Sequence, residues 1–326
     1  MAKKQKHKSV SLPWQGKGWT PEYKGLLPFE WVVLAYILFT SAIVLFTSTK
    51  MANPEAMIWG RIRVGSMIIA LWIVYRLLPC KLTMFMRVGA QMALLAWWYP
   101  DTFELNRLFP NLDHVFATWE QQLFGFQPAL VFAHTCSSPI ISELMDCGYV
   151  AYFPMIATII LFYFFRCYDE FQRTAFVILA SFFTYYVIFD LVPVVGPTFY
   201  YKAIGLHNAA QGVFPKVHDY FNLHQDCLPS PGYTHGFFYD LVEDAKAAGE
   251  RPTAAFPSSH VGIATICMLL AWRTKNKMLL FILLPFYVFL CMATVYIQAH
   301  YAIDVIAGLI TGVAFYFIFK WLYPQR

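Results

Sequence analysis

The chemistry legible in this chain is concentrated near its carboxy-terminal end. Phe256-Pro257-Ser258-Ser259-His260 leads into one apolar stretch, and about forty residues later Ala299-His300-Tyr301-Ala302-Ile303-Asp304 opens another. Pro in a first turn, Ser at the cap and His just inside describe a helix amino terminus whose free N–H groups and dipole form an anion site. His300 and Asp304 stand four residues apart, hence on one face of a helix. There a carboxylate can hold one imidazole nitrogen and raise the nucleophilicity of the other. An unpartnered carboxylate near mid-bilayer costs about 2.5–3.5 kcal/mol on insertion scales, which marks Asp304 as a functional residue rather than a filler. Two histidine-bearing helix starts on one membrane face, one with a carboxylate and one with an anion-binding end, supply the geometric roles of a catalytic site. That chemistry requires no metal or other cofactor.

These residues need a scaffold, and the composition says what kind. Of 326 residues 59% are apolar, 19% aromatic and only 13% charged. Soluble domains carry roughly 25% charged residues and disordered chains are poorly hydrophobic, so both classes are excluded. Apolar runs at 29–46, 57–78, 82–99, 149–165, 175–191, 261–272, 278–297 and 305–322 predict an all-α polytopic membrane bundle of about eight helices. The first run has no small-residue cleavage site after it and is expected to remain as a span. The chain divides into a basic tail (1–28), amino-terminal transmembrane helices (29–99), an acidic, aromatic segment of interfacial helices (100–148) and a catalytic membrane core (149–326). Within that core, residues 192–257 form a long Pro-, Gly- and Tyr-containing loop of the length that usually serves function.

Charge sets the expected orientation. The net charge of +5 is concentrated in Lys3, Lys4, Lys6, Lys8, Lys17 and Lys24, a tail that fixes topology beside a span and touches anionic lipid rather than nucleic acid. With that tail cytoplasmic, Arg76, Lys81, Arg166, Arg173, Arg273, Lys275, Lys277, Lys320 and Arg326 also fall inside. His260, His300 and the long loop then face the periplasmic or lumenal side. Arg61 and Arg63 fall at the outer end of the second run and must snorkel or line a cavity. The seven cysteines show neither CxxC pairs nor zinc spacing. Cys136, Cys147 and Cys227 lie outside in this topology, where an oxidising compartment would let two of them pair.

The blocks PSSH (257–260) and HYAID (300–304) resemble the second and third signatures of the type 2 phosphatidic acid phosphatase superfamily, the lipid phosphate phosphatases and their relatives. Trp119-Glu120-Gln121-Gln122-Leu123-Phe124-Gly125-Phe126-Gln127-Pro128, the stretch 149–154 and Val192-Pro193-Val194-Val195-Gly196-Pro197-Thr198 are similar to the inositol phosphorylceramide synthase branch and its bacterial relatives. The resemblance covers residue 113 to the end. It implies His300 as the nucleophile that forms a phosphohistidine, Asp304 as its orienting partner and His260 as the acid that protonates the leaving group. Ser258 and Ser259 would bind phosphoryl oxygens.

Two departures from the phosphatase pattern matter. Thr294 stands where the hydrolases carry an Arg six residues before the nucleophile, and the earlier Lys…Arg-Pro signature is not clear. Arg251, Lys202 and Lys246 are the loop cations available to replace them, since an oxyanion needs charge-assisted donors. Loss of the upstream Arg is more like the phosphosphingolipid transferases. The expected function is therefore transfer of a phospho-headgroup, with phosphoinositol as the particular case, from a phospholipid donor to a lipid alcohol such as ceramide. The alternative is hydrolysis of phosphatidic acid, sphingoid phosphate or polyprenyl pyrophosphate by the same residues, with water as acceptor. A catalytically silent lipid-binding or transport bundle is the reading from another class.

Overall fold

The structure, a computed structural model, describes residues 25–323. Residues 1–24, which hold the six lysines of the basic tail, and Arg326 lie outside the described residues. Among the described residues there are helices and no strands. The amino-terminal part comprises α1 (Pro28–Thr47), α2 (Pro54–Leu77), α3 (Lys81–Ala93) and α4 (Leu95–Asn106). Short helices follow: α5 (Asp113–Phe124), α6 (Pro128–Thr135) and α7 (Pro139–Val150). Then come α8 (Tyr152–Arg166) and α9 (Phe171–Leu191). The long connection holds α10 (Pro197–Ile204), α11 (Leu206–Ala210) and α12 (Phe237–Gly249). The chain ends with α13 (Ser259–Arg273), α14 (Lys277–Tyr296) and α15 (Ala302–Leu322).

Local sequence explains the boundaries. Asn53 caps α2 by accepting from Ala56 N, with Pro54 in the first turn, and Asn276 caps α14 by accepting from Leu279 N. Gly125 ends α5 in the left-handed conformation at φ 79°.

Among the described residues five helical segments are long and apolar enough to cross a membrane: Pro28–Lys50, Pro54–Leu77, Tyr168–Leu191, Lys277–Tyr296 and Ala302–Leu322. A sixth is possible if α7 and α8, bent by 47° at Ala151, act as one broken span, and α13 is a shorter apolar helix. The eight apolar runs of the sequence thus do not map one to one onto long helices. The run 82–99 is divided at Leu94 between α3 and α4, and α3 turns a polar stripe of Arg87 and Gln91 inward. Run length counts apolar residues and is blind to such breaks. The expected boundary at 148/149 falls in the last turn of α7.

Helix α9 is the axis of the bundle: 78% of its apolar window is buried, against 22–33% for the other four long spans. Phe46, Met278, Phe281, Phe317 and Trp321 instead point outward, as lipid-facing side chains do. Around α9 pack α1, α4, α8, α13 and α15. Helices α13 and α15 approach closely because a Cβ at Gly308 would meet the Ser258 carbonyl at 2.5 Å and one at Gly312 the Gly262 carbonyl at 2.5 Å. Small residues four apart let two membrane helices touch backbone to backbone.

Basic side chains collect at one end of the bundle. Arg273 bonds Glu170 at 2.9 Å, Arg173 donates to the Lys320 carbonyl at 2.8 Å, and Lys81 sits over the Tyr168 ring. His260 and His300 lie at the opposite ends of α13 and α14. Arg61 does not snorkel: it is buried and paired with Asp101 at 2.7 Å, whereas Arg63 is exposed. All seven cysteines are free.

Candidate active site

Helix α13 begins at Ser258, whose hydroxyl accepts from Val261 N at 3.4 Å while its own N–H donates to the Asp304 carbonyl at 3.0 Å. Ser258 is fully buried: its hydroxyl caps α13, and its N–H ties α13 to α15. Ser259 and His260 occupy the first helical positions, where backbone N–H groups have no acceptor within the helix. They are half-buried and so accessible to an anion. The preceding Phe256–Pro257 peptide is cis.

His300 stands in the short connection between α14 and α15. Its backbone N–H donates to the Thr294 carbonyl at 2.9 Å, so Thr294 supports the turn through its main chain. Gln298 turns the connection with φ 64°, and its side chain reaches the Ala129 carbonyl at 3.2 Å. The His300 ring is 4% exposed. Its Nδ1 lies 2.8 Å from the Ala255 carbonyl. A carbonyl only accepts, so Nδ1 carries the proton and Nε2 presents its lone pair. Nε2 faces His260 Nδ1 at 3.4 Å.

Asp304 Oδ2 is 3.7 Å from His300 Nδ1 and accepts a closer bond, 2.9 Å, from Tyr301 N. The tightest partner of the imidazole is therefore a backbone carbonyl, with the carboxylate at ion-pair distance behind it. Burial pushes the His300 pKa down to about 4, opposed by the Ala255 bond and by nearby Glu250. The ring is neutral at physiological pH, as a nucleophile must be. His260 is clamped between aromatic faces, Tyr149 at 4.9 Å and Tyr152 at 4.4 Å between ring centroids.

Two carboxylates that sequence reasoning did not single out hold the loops in register. Asp113, at the start of α5, is fully buried and accepts from Val195 N at 2.8 Å, Gly196 N at 2.9 Å, Asn111 at 2.7 Å and the Tyr301 hydroxyl at 3.0 Å. One side chain thus joins the VPVVGPT loop to the HYAID turn. Gly196 is required there, because at φ 89° a Cβ would lie 2.5 Å from the Ala299 carbonyl. Burial raises the Asp113 pKa to about 6 despite these donors. Glu120 accepts from Ile303 N at 3.1 Å, capping α15 from outside, and its Oε1 has no partner. Burial lifts its pKa to about 8. The signals in the sequence were an acidic residue within an otherwise aromatic stretch and, for Glu120, its place in the 119–128 block.

The loop cations are engaged elsewhere. Lys202 is exposed, donates to the Cys227 carbonyl at 3.2 Å and stands 3.8 Å from Asp226. Arg251 is exposed and bonds the Glu250 carbonyl at 3.1 Å. Lys246 is buried, donates to Ser230 at 2.7 Å and pairs with Glu243 at 3.1 Å. Among the described residues no hydrogen bond or ion pair joins any of the three to His260 or His300, although Lys246 acts electrostatically on Glu250 beside His300. No group of His, Cys, Asp and Glu suited to a metal occurs among the described residues.

Residues 114–318, well over half of the chain, match the PAP2 superfamily. The chain belongs to the PAP2 superfamily. No curated protein and no solved structure matches it. The matched span begins beside Asp113 and takes in α5, the long connection, PSSH and HYAID. Membership fits phosphatase or phosphotransferase activity on lipid phosphates at a membrane, and the apolar helices of this PAP2 protein supply that setting.

Proposed function

We propose that the protein transfers a phospho-headgroup from a phospholipid to a lipid alcohol through a phosphohistidine on His300, phosphoinositol to a ceramide being the case examined first. The carrying observation is the buried pair in which His300 Nε2, unprotonated because Nδ1 is bound to Ala255, faces His260 across 3.4 Å. Nε2 attacks phosphorus and the bond to the diacylglycerol oxygen breaks, that oxygen taking a proton from His260. The acceptor hydroxyl then attacks the phosphohistidine, returns its proton to His260 and frees His300. The anionic phosphodiester itself favours the imidazolium form of His260 on binding. The N–H groups of Ser259 and His260 and the dipole of α13 receive the phosphoryl oxygens.

Transfer is preferred to hydrolysis because Thr294 replaces the hydrolases' Arg and because the low exposure of His300 keeps water scarce. The chemistry is placed at the outer face, opposite the basic end of the bundle.

The deciding experiment is mass spectrometry of products after incubating the purified protein with phosphatidylinositol, with and without ceramide, and with phosphatidic acid as control. A ceramide-dependent phosphoinositol lipid supports transfer. Release of free phosphate from phosphatidic acid without need of an acceptor would make the protein a hydrolase instead.

A further inference from the structure

Helix α4 precedes the span matched to the superfamily, yet one of its faces grips the segment that leads into PSSH. Tyr99, Thr102 and Asn106 recur at i, i+3 and i+7, one side of the helix. Asn106 Nδ2 donates to the Thr253 hydroxyl at 2.5 Å, and the hydroxyls of Thr102 and Thr253 meet at 3.2 Å. The Thr102 hydroxyl already donates to the Tyr99 carbonyl at 2.7 Å. Thr253 therefore donates to Thr102 and accepts from Asn106, so its one hydroxyl serves in both roles. The Tyr99 hydroxyl adds a longer bond, 3.4 Å, to Glu250. Thr102, Asn106 and Thr253 are all buried, and none of these contacts is an ion pair.

Residues 250–258 run between α12 and α13 without a helical turn of their own. Within them Ala254 stands at φ 67°, a left-handed conformation that residues with a Cβ rarely adopt and keep only where their neighbours impose it. On one side of Ala254 is Thr253, held by α4. On the other is Ala255, whose N–H donates to the Val194 carbonyl at 3.0 Å and whose carbonyl lies 2.8 Å from His300 Nδ1. Helix α4 is itself seated on α9, where the Tyr186 hydroxyl donates to the Leu95 carbonyl at 2.8 Å. The axis of the bundle is thus joined through α4 and Thr253 to the peptide that holds the imidazole.

We propose that α4 is a positioning element of the active site: through Thr253 it holds the Ala255 carbonyl where that carbonyl fixes the proton and the aim of His300. Among the described residues no hydrogen bond joins Thr102, Asn106 or Thr253 to either histidine, so all three act through Ala255. Without the tie, Ala254 relaxes towards ordinary backbone angles and the Ala255 carbonyl turns away. The ring then loses its one close acceptor and either shares its proton between the two nitrogens or swings towards Asp304, 3.7 Å away. Both outcomes draw the Nε2 lone pair off line. The assignment rests on the reading of His300 as the attacking group, but not on which lipids react.

Two readouts on the purified full-length protein test it. In nitrogen spectra of protein carrying isotope-labelled histidine, the His300 ring resonances are those that vanish in His300→Ala. The parent should show Nδ1 protonated and Nε2 unprotonated. Thr253→Val, which keeps the shape of the side chain and removes its hydroxyl, should move both resonances, and Asn106→Leu should do the same from the α4 side. Turnover is measured with phosphatidylinositol and ceramide, and with phosphatidic acid. In both variants kcat should fall ~10–100-fold with KM within ~2-fold of the parent, the scale expected when a reacting atom is displaced by about an ångström. Thr253→Ser should return the resonances and kcat to near the parent values.

Unmoved His300 resonances in folded Thr253→Val and Asn106→Leu proteins, a loss of stability with kcat per folded molecule intact, or failure of Thr253→Ser to restore what Thr253→Val loses would overturn the assignment. Full activity in His300→Ala would instead remove His300 as the nucleophile, while shifted resonances in the other variants would still show α4 holding the ring.

Discussion

Buried charge is handled in two different ways in this molecule. Among α1–α4 each buried cation has an anion. Arg87 grips Glu30 with two nitrogens, one at 2.8 Å, and also donates to the Gly25 carbonyl, while Arg61 holds Asp101 at 2.7 Å, Thr40 at 2.9 Å and the Met57 carbonyl at 2.9 Å. Among the described residues no buried carboxylate around the histidines has such a guanidinium. Asp113, Glu120 and Asp304 are held by backbone N–H groups and hydroxyls, and Asp146 by nothing. Ion pairs between helices fix how helices stand against one another. N–H-bound carboxylates fix loops. If that division is right, losses in the first region appear in stability and losses in the second in turnover.

The sharpest test is His300→Ala. Removing the group that would carry the phosphoryl intermediate should lower turnover by at least ~10⁴-fold, the scale seen when a covalent nucleophile is deleted. Stability should fall by no more than about 1–3 kcal/mol, the cost of leaving the buried Ala255 carbonyl without its partner. Substantial activity in the folded variant would remove His300 from the chemistry.

Arg87→Met probes the other region. It leaves Glu30 buried without its cation, which costs about 3–5 kcal/mol. Denaturation in detergent should show that loss, with kcat per folded molecule near the parent value. Adding Glu30→Leu should recover most of it, because an apolar pair avoids the desolvation penalty. A fall in kcat without loss of stability would break the division between the two regions.

How much of this was legible beforehand follows from the same distinction. PSSH and HYAID announce themselves because a helix cap and an i, i+4 pair are local, and local spacing survives in sequence. The bond from His300 to the Ala255 carbonyl does not, since a backbone acceptor carries no residue-type signal and lies 45 positions away. Asp113 joins residues 82 and 188 positions distant, so nothing in its neighbourhood distinguished it from an interfacial acid. The helical class was evident from composition, while the break at Leu94 and the bend at Ala151 are backbone events within apolar runs. The loop cations were chosen by charge alone, and Lys202 and Lys246 are occupied by partners on their own side of the loop.

Asp113→Asn should fall between the two regions. The amide keeps one acceptor but turns an N–H₂ towards the donors of Val195, Gly196 or Tyr301. The HYAID turn should loosen, lowering kcat by roughly 10–100-fold, as when outer-shell supports of a reactive site are altered. KM for the donor lipid should move less, because Asp113 touches neither histidine. Equal losses in kcat and in stability would make it an architectural residue of the first kind.

The smallest expected effect is a pH slope at Glu120. Unfolded, this carboxyl ionises near its ordinary value, whereas in the folded chain burial holds the proton up to about 8. Across that window the native state binds the extra proton, so the stabilisation is complete at low pH and is lost as pH rises through about 8, by at most about 1.4 kcal/mol per pH unit. Asp113 contributes with the same sign, but only up to about pH 6. His300 has the opposite sign: its pKa is lowered to about 4, so its contribution is present above the unfolded value and is lost as pH falls. Above pH 6.5 neither Asp113 nor His300 titrates, and comparison with Glu120→Gln cancels what Asp146, raised by burial to about 7, adds to the slope. Melting temperatures from pH 6.5 to 8.5 should decline in the parent and stay flatter in Glu120→Gln, whose amide oxygen still accepts from Ile303 N. Parallel profiles would mean that Glu120 is ionised in the folded chain, and the second region would then hold a buried charge carried by N–H donors without the counter-charge the first supplies.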